Sequence, residues 1–190
     1  MRKHHQPAMA ENTASPSPWV LRFAPLIPAG GPVLDLAAGS GRHTRLLAAR
    51  DHPVLAVDRD AEALAVLADI ADVACETADL EFLPPWSPGA RRFAGIVVTN
   101  YLWRPLLAAL PGWLQPDGVL IYETFALGNE RFGRPLNPNF LLRPDELIEA
   151  FTPPLRVVAY EHGEISSPRP AMVQRICAAA GSDELILPPS

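Results

Sequence analysis

The sequence predicts an α/β fold: a seven-stranded, mostly parallel sheet with helices on both faces and an antiparallel last strand. Three observations predict it. From residue 33 onward, short apolar runs alternate with segments of helical periodicity, the pattern of parallel strands joined by helical crossovers. Phe93–Thr99 is apolar almost throughout, as a strand buried on both faces must be. The last two apolar runs are separated only by Gly163 to Ala171, too few residues for a helix, so they must pair as a hairpin.

The elements follow in order. Ser17-Pro18 supplies a helix cap and a first-turn proline, and Trp19, Leu21, Arg22 and Phe23 form a short helix that Pro25 and Pro28 end. Val33–Leu36 is the first strand, and residues 42–50 are helical with Leu46 and Leu47 facing inward. Residues 54–57 form the second strand. Asp60 caps the next helix, in which Leu64, Leu67, Ala68 and Ala71 repeat at i, i+3, i+4 and i+7. Residues 73–76 and Phe93–Thr99 are the third and fourth strands. Pro105 opens a helix with Leu107, Leu110 and Leu114 on one side, which Pro111-Gly112 breaks or kinks. Gln115-Pro116-Asp117-Gly118 is a turn before the fifth strand, residues 119–122. A long irregular stretch, 126–143, precedes a helix at 145–151 and strands at 155–160 and 172–178. There is no internal repeat.

Composition bounds the function. At 190 residues, 48% apolar and 19% charged, the chain reads as one domain, residues 16–180, between a disordered tail (1–15) and a C-terminal tail (181–190). Its 22 prolines lie between periodic segments and punctuate loops. A formal charge of -5 argues against a generally basic nucleic-acid-binding surface. Cys75 and Cys177 have neither metal-ligand spacing nor disulfide density, and both fall in strand-like runs, so buried inert thiols are expected. No run reaches the eighteen apolar residues of a membrane helix. Arg2 and Lys3 resemble a signal-peptide start, but the following residues are polar and proline-rich, so the cytoplasm is expected. His4-His5 on that tail reads as ornament.

The chemistry is concentrated where the first strand ends, in Val33-Leu34-Asp35-Leu36-Ala37-Ala38-Gly39-Ser40-Gly41-Arg42-His43, with Asp58 seventeen residues past Gly41. An apolar run ends in a glycine turn that opens a helix, and a second apolar run delivers a carboxylate. That pairing suits a nucleoside ligand. The dinucleotide fingerprint needs a third glycine where Thr44 stands. Asp35 would repel a pyrophosphate, whereas a carboxylate there suits the ammonium of S-adenosylmethionine. Capping its own turn is the alternative role for Asp35.

Asp35-Leu36-Ala37-Ala38-Gly39-Ser40-Gly41 resembles motif I of class I S-adenosylmethionine-dependent methyltransferases. Val57-Asp58 resembles the acidic end of that family's second strand, Ala78-Asp79-Leu80 its post-β3 segment, and Leu114-Gln115-Pro116-Asp117-Gly118 its L-x-P-G-G turn, with Asp117 in place of glycine. The resemblance spans about residues 30–178 and implies a Rossmann-like fold with S-adenosylmethionine as cofactor. It implies that Asp35, Ala37, Gly39, Gly41, Asp58, Arg59, Asp79, Leu80 and Asn100 line the cofactor site. Gly39 and Gly41 would let the backbone approach. Asp58 would accept the ribose hydroxyls, Asp79 the adenine amino group, and Leu80 would offer its amide to a ring nitrogen. Arg59 either covers the adenine or is a solvated turn residue.

The acceptor end is less specified. Ligands of open parallel sheets bind beyond the carboxyl ends of the strands, so Tyr101, Glu123 and His162 are expected to converge near the transferred methyl as catalytic residues. Each has a plain alternative: Tyr101 as core packing, Glu123 paired with an arginine, His162 as a structural strand-end histidine. Residues 125–143 read as a lid over the acceptor pocket, hinged by Gly128 and Gly133, with Phe125, Phe132 and Phe140 seeking burial. Arg131, Arg134 and Arg143 either meet an anionic acceptor or pair with Glu130 or Asp145. This region is similar to small stand-alone bacterial methyltransferases of the tellurite-resistance and thiol-methylating group. A small-molecule methyl acceptor is expected, in a monomer or homodimer, with no membrane and no metal. The D/N-P-P-Y/F sequence of amino-methylating nucleic-acid enzymes is replaced by Thr99-Asn100-Tyr101-Leu102-Trp103. An RNA methyltransferase in which Trp103 and Arg104 stack on a base is the alternative, as is a non-catalytic cofactor-binding subunit; an NAD-dependent oxidoreductase is disfavoured.

Overall fold

The computed structural model describes residues 15–82, 84–181 and 184–189. The expected N-terminal tail, with His4 and His5, lies outside them apart from Ser15. Seven strands form one sheet in the order β3-β2-β1-β4-β5-β7-β6: β1 is Val33–Leu36, β2 Val54–Asp58, β3 Val73–Thr77, β4 Phe93–Thr99, β5 Leu114–Phe125, β6 Arg156–Ile165 and β7 Ala171–Ala179. The first five pair in parallel, while β7 runs antiparallel between β5 and β6. The fold class is the one expected.

Side chains alternate across the sheet with the strand period of two. Leu34, Leu36, Val57, Val98, Leu120 and Tyr122 point to one face, where they pack with Leu106 and Leu107 of α4 (Arg104–Leu107) and Leu147 and Phe151 of α5 (Glu146–Phe151). Val33, Val54, Val97, Val119 and Ile121 point to the other, against α1 (Pro18–Phe23) and α2 (Arg42–Ala48). This parity governs the site. The Ser17 hydroxyl caps α1 by accepting from Trp19 and Val20, as expected.

Three expectations need correction. The helix after Asp60, α3, is only Ala61–Ala65, followed by turns. It lies by the sheet edge, where Leu64 and Leu67 join a small cluster with Ala38 and Ala56, and so little apolar contact cannot sustain further turns. The helix expected from Pro105 to Leu114 is split. After α4 comes a 3₁₀ turn, Leu110–Trp113, and Leu114 already pairs with Phe93 in β5. The register then shifts to Val119 opposite Gly95, across the turn residues 115–118. Cys75 is exposed on the edge strand; Cys177 is buried, and burial pushes its thiol up to about 12.

The crossover from β3 to β4 has no helix among its described residues. Glu76 anchors it instead, accepting from Trp86 Nε1 at 2.6 Å and Arg91 at 2.9 Å, while Trp86 stacks edge-on against Trp113. Among the described residues no helix is long and apolar enough to cross a membrane.

Candidate functional site

A cavity of about 350 Å³ opens beyond the carboxyl ends of β1 to β5. Ala37 enters it after β1, Asp58 and Arg59 at the end of β2, and Ala78, Asp79, Leu80 and Glu81 after β3. Asn100, Tyr101 and Leu102 follow β4, Thr124 and Phe125 end β5, and Pro135 and Phe140 come from the following loop. Of the residues expected at the cofactor site, Ala37, Asp58, Arg59, Asp79, Leu80 and Asn100 therefore share one cavity.

The strand-end wall is built by backbone geometry. Ala37 and Asn100 both sit in the left-handed region, at φ 57° and 54°, rare for residues with a Cβ. The turn at Ala37 brings it onto the face of Leu34 and Leu36, which strict alternation would deny it. Asp58 is fixed from two sides: its Oδ2 accepts from Gly39 N–H at 2.8 Å and its Oδ1 from Asp60 N–H at 2.9 Å. A carboxylate has about four lone-pair directions, so two remain for a ligand.

Asp35, Gly39 and Gly41 do not line the cavity. Asp35 lies under the turn, 2% exposed, and Oδ2 accepts from the Thr44 hydroxyl at 2.6 Å. Burial raises its carboxyl to about 6 against that hydrogen bond. It braces the turn from within, having the parity of Val33. Gly39 serves through its positive φ and its amide on Asp58. At Gly41 (φ 75°) a Cβ would meet Leu67 at 2.5 Å, so this glycine admits a side chain rather than a ligand.

The expected convergence of Tyr101, Glu123 and His162 is not found; only Tyr101 lines the cavity. Glu123 shares the parity of Val119 and Ile121, which turns it to the opposite face. There it accepts from Ser17 Oγ at 2.8 Å and pairs with Arg175 at 3.3 Å. His162 is exposed on the edge strand β6, separated from β5 by β7. Beneath the site, His43 Nε2 accepts from Ser17 N–H at 3.1 Å, so its Nδ1 carries the proton toward Thr99 Oγ1 at 3.4 Å. Burial and neighbouring Arg42 push this imidazole down to about 3. The Tyr101 hydroxyl is shut off from solvent without a hydrogen-bond partner. Burial, then the charges of Glu81 and Asp79, hold it protonated above its ordinary range. Leaving a buried polar group unpaired costs about 1–3 kcal/mol.

Residues 125–143 form a loop pinched at its base, where Leu127 N–H donates to Leu142 O and Leu142 N–H to Phe125 O. Arg104 holds the returning limb, donating to Asn139 O at 2.7 Å, to Leu141 O at 2.9 Å and to the buried Glu146 carboxylate at 2.6 Å. Burial alone would raise the Glu146 carboxyl, but the hydrogen bonds from Arg104 and the Arg143 amide outweigh it and hold it low. Arg104, expected as a stacking residue in the RNA alternative, is thus engaged here. Phe125 and Phe140 line the cavity, yet Phe132 and Phe140 stay partly exposed rather than buried. Arg131, Arg134 and Arg143 do not line it. Arg131 reaches Glu164 at 3.7 Å and Arg143 reaches Glu146 at 3.4 Å, different carboxylates from those expected.

Strand order β3-β2-β1-β4-β5-β7-β6, with its reversed β7 and a cavity at the strand ends, decides the fold type. The chain has the fold of the class I S-adenosylmethionine-dependent methyltransferases. It superposes on TehB from Haemophilus influenzae with a TM-score of 0.72 at 18% identity, over 90% of this chain and 64% of that one. A TehB-like S-adenosylmethionine-dependent methyltransferase from Corynebacterium glutamicum matches with a TM-score of 0.61 at 18% identity, covering 86% of this chain and 87% of its own. The 1,6-didemethyltoxoflavin-N1-methyltransferase of Burkholderia thailandensis, solved with that compound and S-adenosylhomocysteine bound, gives a TM-score of 0.62 at 20% identity, covering 86% and 76%. No protein-family model and no curated protein matches the sequence. This chain therefore spans just under two thirds of the Haemophilus protein.

Glu81 and Leu102 line this cavity without having been expected there from the sequence, and Thr124 stands there in place of its neighbour Glu123. Thr124 was available from parity: Tyr122 and Thr124 share the face that Glu123 does not.

Proposed function

We propose that this chain is an S-adenosylmethionine-dependent methyltransferase that acts on a small-molecule acceptor. The observation that carries this reading is Asp58, a carboxylate held by two backbone amides at the rim of a strand-end cavity in this fold. Its free lone pairs suit two adjacent ribose hydroxyls. Asp79 and Leu80 line the neighbouring wall, where an adenine amino group would meet the carboxylate and a ring nitrogen the Leu80 amide. Arg59 covers the adenine side, and Ala37 and Asn100 approach the amino-acid portion with their backbones. Asp35 supports the turn from below and acts on the ammonium through it.

The charges also fit the group. Asp58, Asp79 and Glu81 face Arg59 alone in the cavity, a balance that accepts a cationic nucleoside and opposes a pyrophosphate. When bound, S-adenosylmethionine supplies an electrophilic methyl on a sulfonium. The protein's part is to hold the acceptor in line with that methyl and to keep water out. The 350 Å³ cavity, at the small end of ligand sites (about 300–1,000 Å³), has to take cofactor and acceptor together, and the little space beside a bound cofactor favours a compact acceptor. Similarity to the 1,6-didemethyltoxoflavin-N1-methyltransferase, solved with 1,6-didemethyltoxoflavin and S-adenosylhomocysteine bound, supports the same reading.

Calorimetric titration with S-adenosylmethionine, S-adenosylhomocysteine and NAD tests the reading. Binding of the first two is expected; binding of NAD alone would refute it.

A further inference from the structure

The two edges of the sheet are guarded differently. At one, β3 is only five residues long. At the other, β6 runs for ten residues, with neither a proline nor a lysine in it. Shortness, proline and lysine are the usual protections against edge-to-edge pairing. A bulge blunts the start of β6, where its register with β7 shifts between Val157 and Ala159. Beyond it the pairing is regular, from Ala159 opposite Cys177 to Ile165 opposite Ala171.

The hydrogen bonds of β7 show which way the backbone of β6 points. Met172 O accepts from Ala126 N–H, and Ala180 N–H donates to Gly118 O, so the even-numbered residues of β7 turn their polar groups toward β5. Tyr160, His162 and Glu164 stand opposite Ile176, Gln174 and Met172. In an antiparallel pair bonded and non-bonded positions alternate, so these three residues turn N–H and C=O away from the sheet. Among the described residues those groups have no backbone partner.

The side chains of this stretch suit a strand like itself. Glu161 is held by Arg175 at 2.6 Å and approached by Arg22 at 4.0 Å, and Glu164 is reached by Arg131 at 3.7 Å. Each carboxylate carries its own cation, so an identical stretch can approach without unbalanced charge. Pro188 and Pro189 share a cleft with Glu161, Trp19 and Arg22 on the α1 face, which leaves the outward backbone groups uncovered.

We infer that β6 pairs with β6 of a second copy of this chain, antiparallel about a two-fold axis at His162. The regular stretch from bulge to hairpin is centred on His162, and so are the three outward-facing residues. With the axis there, His162 meets His162 of the other copy and Tyr160 meets Glu164. Each of these pairs exchanges two backbone hydrogen bonds. An axis at Glu161 would set Glu161 against Glu161 and place Glu164 opposite Val158, in the bulge. An axis at Gly163 would leave Tyr160 opposite Ser166, beyond the strand. The interface is isologous and joins the two sheets into one. It also sets Tyr160 of one copy beside the Glu164 that Arg131 reaches, so association bears on the 125–143 loop.

Sedimentation equilibrium from micromolar to near-millimolar protein tests the pairing without reference to any reaction. A concentration-dependent dimer is expected. His162→Pro removes one outward N–H, which the fold of the single chain does not use, and proline is tolerated at such an edge position. This variant is expected to keep the parent's circular dichroism and to stay monomeric throughout. His162→Cys, made together with Cys75→Ser because Cys75 is exposed, supplies a second measurement. Opposite residues of a hydrogen-bonded pair stand about 5.5 Å apart at Cα, within disulfide reach, so mild oxidation is expected to give a covalent dimer. If His162→Pro fails to fold, the cysteine variant decides. A parent chain that is monomeric at every concentration overturns the inference. So does a folded His162→Pro that still dimerises, or a His162→Cys that remains monomeric on oxidation.

Discussion

The two walls of the cavity are made differently. On the strand-end wall, side chains are locked by backbone: Asp58 by the amides of Gly39 and Asp60, and Asp79 by the Glu81 amide at 3.0 Å. The wall from residues 125–143 is held largely by side chains: Arg104 ties two carbonyls of the returning loop to Glu146, and the Asn129 side-chain amide accepts from Met172 N–H and donates to Arg134 O. A wall set by short covalent loops has one shape. A wall set by side-chain clamps can be altered at one clamp without touching the strands. Under the proposed function, this difference suits a common nucleoside on one side and a particular acceptor on the other.

The largest effect should come from the clamp. Arg104→Ala strips Glu146 of its partner and frees Asn139 O and Leu141 O. Breaking a buried pair costs about 3–5 kcal/mol, and because the Arg104 side chain is 35% exposed, about 2–3 kcal/mol is expected in denaturant unfolding. Loss of stability with S-adenosylhomocysteine affinity within threefold of the parent would sharpen the contrast between the walls. An equally large loss of nucleoside affinity would break it.

Asp35→Asn tests the foundation of the strand-end wall with the opposite sign. Its carboxyl is raised from 3.8 to about 6 on folding. The folded state therefore keeps an extra proton between those values, and this group's contribution to stability falls as pH rises through that window. Asparagine does not titrate, so the variant should gain about 1–3 kcal/mol relative to the parent above pH 6, at roughly 1.4 kcal/mol per unit. The gain should shrink toward pH 4. His43, lowered from 6.5 to about 3, acts oppositely and costs stability as pH falls below 6.5. The two slopes oppose each other between about pH 4 and 6, so only the variant-minus-parent difference reveals Asp35. Unfolding curves at four pH values measure it, and a pH-independent difference would contradict the assignment.

Asp58→Ala should weaken S-adenosylhomocysteine binding at least tenfold, about 1.4 kcal/mol. Unchanged affinity would remove this carboxylate from the site. The smallest effect belongs to Arg131→Ala. Both partners of its pair with Glu164 are more than half exposed, so stability should change by about 0–0.5 kcal/mol. A large loss of acceptor binding in that variant would restore an anionic acceptor and break the contrast.

Local patterns made the sheet legible. Strand runs and the short gap before residue 171 fixed the reversed last strand, and the acidic end of β2 pointed to Asp58, because both depend on neighbours in sequence. The helix after Asp60 was overread: periodicity reports an apolar face but not whether a sheet edge offers anything to cover it. Glu123 and His162 were misplaced for a related reason. Each lies at a strand end, yet strand parity turned Glu123 to the α1 face, and the insertion of β7 between β5 and β6 carried His162 away. Asp35 beneath the turn rather than in the cavity follows the same parity. By itself the sequence determined which strands exist, how they alternate and where the glycine turn and its carboxylate fall, since those are short-range properties of the chain. Only the tertiary structure decided that Arg104 would hold the loop at residues 125–143 and that Arg131 would turn to Glu164, because both depend on contacts between segments more than 30 residues apart.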